Sequence, residues 1–80
     1  MSAFSELGLQ CDRRGWRLAL DGHYPNGRHD EGLRLEILEV RAGRRAGMVE
    51  LLATVPFDPA DPDTAAIAAA RVLDSKGLIA

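Results

Sequence analysis

The chain has 80 residues, twelve acidic and ten basic side chains, and a net charge of −2. That length predicts one small domain over residues 1–80. A charge balance this even, with a pI near 5.6, gives no general attraction to nucleic acid or to anionic lipid. A single cysteine, Cys11, excludes an intramolecular disulfide framework.

From Leu7 to Cys11 a short apolar stretch precedes Asp12-Arg13-Arg14-Gly15, whose Asp start and Gly end suit a type I turn. Trp16, Leu18 and Leu20 then alternate with Arg17, Ala19 and Asp21, the pattern of a half-buried strand, and the two segments read as a hairpin. A competing reading makes residues 2–7 a short helix ended by Gly8. Residues 22–32 form the longest polar connection, with turn chemistry at Pro25-Asn26-Gly27. Residues 33–41 are the next strand, 42–47 a turn and 48–55 its partner. The prolines of Phe57-Asp58-Pro59-Ala60-Asp61-Pro62-Asp63 mark a crossover.

Asp61 as N-cap and Pro62 at the first helical position start a C-terminal helix, with Asp63 favoured by the macrodipole. Gly77 is its left-handed stop, and Leu78 folds back as the hydrophobic contact. Ile67, Ala70 and Leu73 are spaced to face the sheet, with Ala66 and Ala69 permitting close approach. The expected architecture is α+β, an antiparallel β-meander of three to four strands with one C-terminal helix on one face.

Alternation breaks in the second hairpin. Leu33, Leu35 and Ile37 share one face of their strand, but Leu38 and Val40 lie on the other. In the partner strand Val49, Leu51, Ala53 and Val55 share a face, with Met48 and Leu52 opposite. Either a bulge near Ile37-Leu38 swaps the faces, or the hairpin is apolar on both sides. The register is open: one choice sets Glu39 opposite Glu50, another sets Arg41 opposite Glu50.

From about residue 16 onward, a strand meander followed by an Ala-rich helix resembles part of the double-stranded RNA-binding fold. That family's helix opens with clustered Lys over the RNA phosphates, whereas this one opens with Asp61-Pro62-Asp63-Thr64. The helix that precedes the strands in that family is not evident here. The sequence therefore opposes the function that the topology would imply.

Chemistry is sparse. Arg41, Arg44 and Arg45 gather on the hairpin tip and offer a phosphate or nucleic-acid contact, against which Glu39 and Glu50 stand at its base. His23 and His29, with Asp30 and Glu31, are weak metal candidates, since they lack the tight pairs of a zinc site. Asp58, Asp61 and Asp63 lack the Gly and terminal Glu of a calcium loop, and helix capping explains two of them. Cys11 with a histidine elsewhere is a minimal nucleophile pair, but a lone cysteine usually packs as a small hydrophobe. No Gly-x-Ser-x-Gly, Walker or dinucleotide fingerprint occurs. No cofactor is expected, and the reading leans away from catalysis.

Nine Arg to one Lys, with abundant Ala, Gly and Leu, is the usage of a GC-rich bacterial genome. Residues 1–6 have neither the cationic region nor the apolar core of a signal peptide. No stretch approaches the roughly 20 apolar residues of a membrane span, so the expected location is the cytoplasm. Of the hydrophobic residues twelve are Ala, and only Phe4, Trp16, Tyr24 and Phe57 are aromatic. A core that thin leaves a small margin of stability, or calls for a partner subunit to enlarge it. The leading expectation is a non-catalytic interaction module, a homodimer joined through its sheet by Leu38, Val40, Met48 and Leu52, with Trp16 as an anchor. The alternative is nucleic-acid or phosphate-ligand binding through the tip at 41–47.

Overall fold

A computed structural model describes residues 2–21, 33–41 and 48–79, Arg41 and Met48 by their backbone. Its elements run α1 (Ala3–Arg14), β1 (Trp16–Asp21), β2 (Leu33–Arg41), β3 (Met48–Phe57) and α2 (Pro62–Ser75). The strands form one antiparallel sheet in the order β1-β2-β3. There are thus two helices rather than one, and three strands.

The N-terminal segment is helical, not the first strand of a hairpin. Ser2 caps it by accepting the Ser5 N–H at 3.1 Å, Glu6 lies in the first turn, and Arg13 and Arg14 complement the dipole in the last. Phe4, Leu7 and Cys11 recur at helical spacing and turn inward, Leu7 and Cys11 being buried. The alternation through Leu9 has the wrong period, since that side chain is exposed. Gly8 does not end the helix, because interior glycine costs only about 1 kcal/mol and the packed face outweighs it. Gly15, at φ 72°, is the stop, and its N–H bonds the Asp12 carbonyl at 3.2 Å.

Strand β3 runs two residues past the expected end at Val55. Pro56 is tolerated there because β3 is an edge strand. The α2 boundaries follow their caps. Asp61 accepts from the Thr64 N–H and hydroxyl, at 3.4 and 2.6 Å. At the other end Gly77, at φ 72°, donates to Asp74 O and Leu78 N donates to Leu73 O, both at 2.9 Å, which is the Schellman pattern.

Both helices lie on one face of the sheet. The core joins Leu7 and Cys11 of α1, Leu35 and Ile37 of β2, Leu52, Ala53 and Val55 of β3, and Ala65, Ala66, Ala69 and Leu73 of α2. Ile67 was expected to face the sheet and instead is 48 % exposed. The presence of α1 beside α2 turns the buried stripe toward Ala65, Ala66 and Ala69, whose small side chains admit a second helix. Asp63 joins the ensemble at one end, accepting the Phe4 N–H at 3.0 Å, while the Phe4 and Phe57 rings meet with centroids 5.9 Å apart.

Candidate functional site: the open face of the sheet

Cross-strand partners in an antiparallel pair point to the same side, so the register assigns the faces. β1 pairs with β2 through Arg17↔Leu38, Ala19↔Glu36 and Asp21↔Arg34 on the side away from the helices. Trp16↔Glu39, Leu18↔Ile37 and Leu20↔Leu35 lie on the helix side. Between β2 and β3 the pairing is regular from Leu33↔Phe57 to Ile37↔Ala53, then shifts by one at Ile37/Leu38. Beyond the shift it continues as Leu38↔Leu51, Glu39↔Glu50, Val40↔Val49 and Arg41↔Met48. Leu52 is the extra residue, and the irregularity is a β-bulge in β3.

The bulge changes which side chains of β3 face out. Leu52 and Ala53 both turn inward and are buried, Leu52 at 6 % exposure. Leu51 and Val49, which simple alternation placed with Ala53 and Val55, are carried to the open face at 46 and 50 % exposure. They join Leu38, half-buried, and Val40, 43 % exposed, to make a four-residue apolar block. Beside it on the same face stand Arg17, Asp21, Arg34 and Glu36, two of each sign, and Arg34 Nε donates to Thr54 Oγ1 at 2.9 Å.

Leu38 and Val40 of the proposed contact residues therefore belong to this block. Leu52 does not, because the bulge buries it. Trp16 lies on the helix side, half-buried, with the Arg14 guanidinium carbon 5.4 Å from its ring centroid. Met48 is opposite Arg41 along the backbone. Val49 and Leu51 were missed; the signal that could have found them was the broken alternation that already pointed to a bulge.

The carbonyl of Leu52, outside the one-to-one ladder, accepts from Lys76 Nζ at 2.6 Å. Pro56, the bulge and this lysine together make β3 a poor template for another strand.

Other expected sites gain nothing from the fold. Arg44, Arg45, His23 and His29 lie outside the described residues. Among the described residues no three His, Cys, Asp or Glu side chains come together to hold a metal ion. Asp58 Oδ1 accepts the Ala60 N–H at 2.9 Å, Asp61 caps α2 and Asp63 holds α1, so all three carboxylates have structural work. Burial pushes the Cys11 thiol up, the Arg14 charge opposing it, so the residue lacks the depressed thiol of a nucleophile. A surface groove of about 370 Å³ between α1 and α2 is bordered by Glu6, Gln10, Ile67, Arg71 and Asp74, with no Ser, Cys or His in its lining. No described helix is long and apolar enough to cross a membrane.

The N-terminal helix supplies the element whose absence limited the resemblance to the double-stranded RNA-binding fold. The acidic opening of α2 persists, and Asp63, in its first turn, is bonded to α1 rather than free to be replaced in role by a phosphate-binding lysine. Comparison with known family models, curated proteins and solved structures finds no match to this chain.

Proposed function

We propose that this protein is a non-catalytic interaction module that pairs with a second copy of itself through the open face of its sheet. The observation that carries the reading is the exposed block Leu38, Val40, Val49 and Leu51 on a face that no described element covers. An apolar cluster of this kind gains by leaving water, at roughly 25 cal/mol per Å² removed.

Two features favour a second copy as occupant. The polar part of the face carries Arg17 and Arg34 against Asp21 and Glu36, so its described charges balance and do not repel their own image. A two-fold contact lays one patch on itself and needs only such self-complementarity. The core is also thin: of the eleven buried residues among those described, four are Ala. A second sheet would enlarge it.

Sedimentation equilibrium from low to high micromolar concentration tests the reading. A dimer is expected, and a strict monomer throughout overturns it. Val40→Asp should split the dimer, whereas Ile67→Asp, on an exposed position of α2, should leave it intact. The reverse pattern would move the contact to the helices.

A further inference from the structure

The face that β3 presents depends on one extra residue. Were the pairing of residues 33–37 continued without the bulge, Leu38 would stand opposite Leu52 and Val40 opposite Glu50. The open face would then carry Leu38, Val40, Leu52 and the Glu50 carboxylate, while Leu51 and Val49 would turn toward the helices. A one-residue slip moves every side chain beyond it to the other side. These two registers offer different surfaces from one sequence. The bulged one leaves an unbroken apolar block, and the straight one places a charge within it.

Lys76 is placed to choose between them. It is the only lysine in the chain and the C-cap residue of α2. Its position is held by the Schellman turn through Gly77 and Leu78, and by Leu73, which is fully buried in the core. From that fixed point its ammonium reaches 24 residues back to the Leu52 carbonyl, the backbone acceptor of the bulge residue itself. A hydrogen bond from a charged donor is among the stronger ones, and here it satisfies a group that the bulge removes from the regular ladder. In the straight register Leu52 would rejoin the ladder, and the same ammonium would lose this acceptor.

We infer that Lys76 is a positioning residue for the open face: by bonding the Leu52 carbonyl it holds the bulged register and so selects Val49 and Leu51, rather than Leu52 and Glu50, as the outward side chains of β3. The consequence for self-association rests on the function proposed above; the register itself does not.

Cross-strand nuclear Overhauser contacts read the register directly. The unaltered chain should show backbone contacts of residue 38 with 51 and of residue 40 with 49. Lys76→Met keeps the aliphatic stem and removes the donor. It should shift the ratio of registers by about tenfold or more toward pairs 38/52 and 40/50. Lys76→Arg should restore the original contacts. A Lys76→Met chain that keeps only the 38/51 and 40/49 contacts overturns the inference.

Deleting Leu52 supplies the control, because residues 38 and 51 then face each other without a bulge. In that background Lys76→Met should change neither the contacts nor the midpoint of unfolding. If Lys76→Met unfolds the full chain, the deletion background decides: a folded product supports the inference, and a second unfolded product overturns it. If the unaltered chain is monomeric at every concentration, self-association fails while the register comparison still gives its answer.

Discussion

Cys11 is buried in the core shared by α1 and the sheet, 2 % exposed. Desolvation raises its thiol above the ordinary value of 9.0, and Arg14 only partly offsets this. The sign of the linkage follows. Above pH 9 the unfolded chain releases the thiol proton while the folded chain retains it, so the unfolded state binds fewer protons and stability falls as pH rises. Below the ordinary value the contribution is constant. Urea titrations under reducing conditions should therefore show the unaltered protein losing stability as the pH is raised above about 9. Cys11→Ala should lack that component of the slope. Equal slopes for the two chains would show that burial of the thiol does not control its titration. Asp63 makes a similar point for a polar residue. It was legible as a favourable charge in its own helix, yet its Oδ1 also holds the first turn of another. No local pattern encodes a partner 59 positions away.

At the scale of elements, α2 separates what periodicity decides from what neighbours decide. Its limits were legible because Asp61, Pro62 and Gly77 act on the adjacent backbone. Its buried stripe was legible only in part. Leu73 is fully buried as expected, whereas Ile67 is largely exposed because α1 shares the same side of the sheet. Leu73→Ala should cost about 2–5 kcal/mol, the range for a truncated core leucine, and Ile67→Ala no more than about 0.5 kcal/mol. Chemical denaturation of the two variants checks the contrast, and comparable losses would contradict the packing described. The first helix was misread for a related reason. Leu7, Leu9 and Cys11 fit alternation over five residues, but Ser2, Phe4, Leu7 and Cys11 form a longer helical series with a cap at its start. Short apolar runs satisfy both periods, and only the contact with the sheet chose between them.

For the whole molecule, both helices cover one side of three strands and leave the other bare among the described residues. A monomer with four Ala in its buried set has little reserve, since a domain of this size is stable by only roughly 4–12 kcal/mol. Association that buries Leu38, Val40, Val49 and Leu51 would couple folding to protein concentration. The midpoint of thermal unfolding should rise with concentration for the unaltered chain and stay constant for Val40→Asp. Because the contact is mainly apolar, added salt should not abolish the dimer. A concentration-independent midpoint, or dissociation by moderate salt, would count against the apolar face as the contact.

The local signals at the three β-strand segments and at both ends of α2 determined the α+β class, because alternation and caps act over a few neighbouring residues. The sequence also carried the broken alternation at Ile37-Leu38, and with it the two options of a bulge or a doubly apolar hairpin. Choosing between them took tertiary structure. A strand's side-chain period is two, so whether Leu52 or Leu51 faces outward hangs on a single inserted residue. That insertion buries Leu52 beside Ala53, and a lysine at the end of another element bonds its carbonyl. The even charge and thin, Ala-rich core were plain from composition; which apolar residues remained uncovered was decided only when both helices settled on the same side of the sheet.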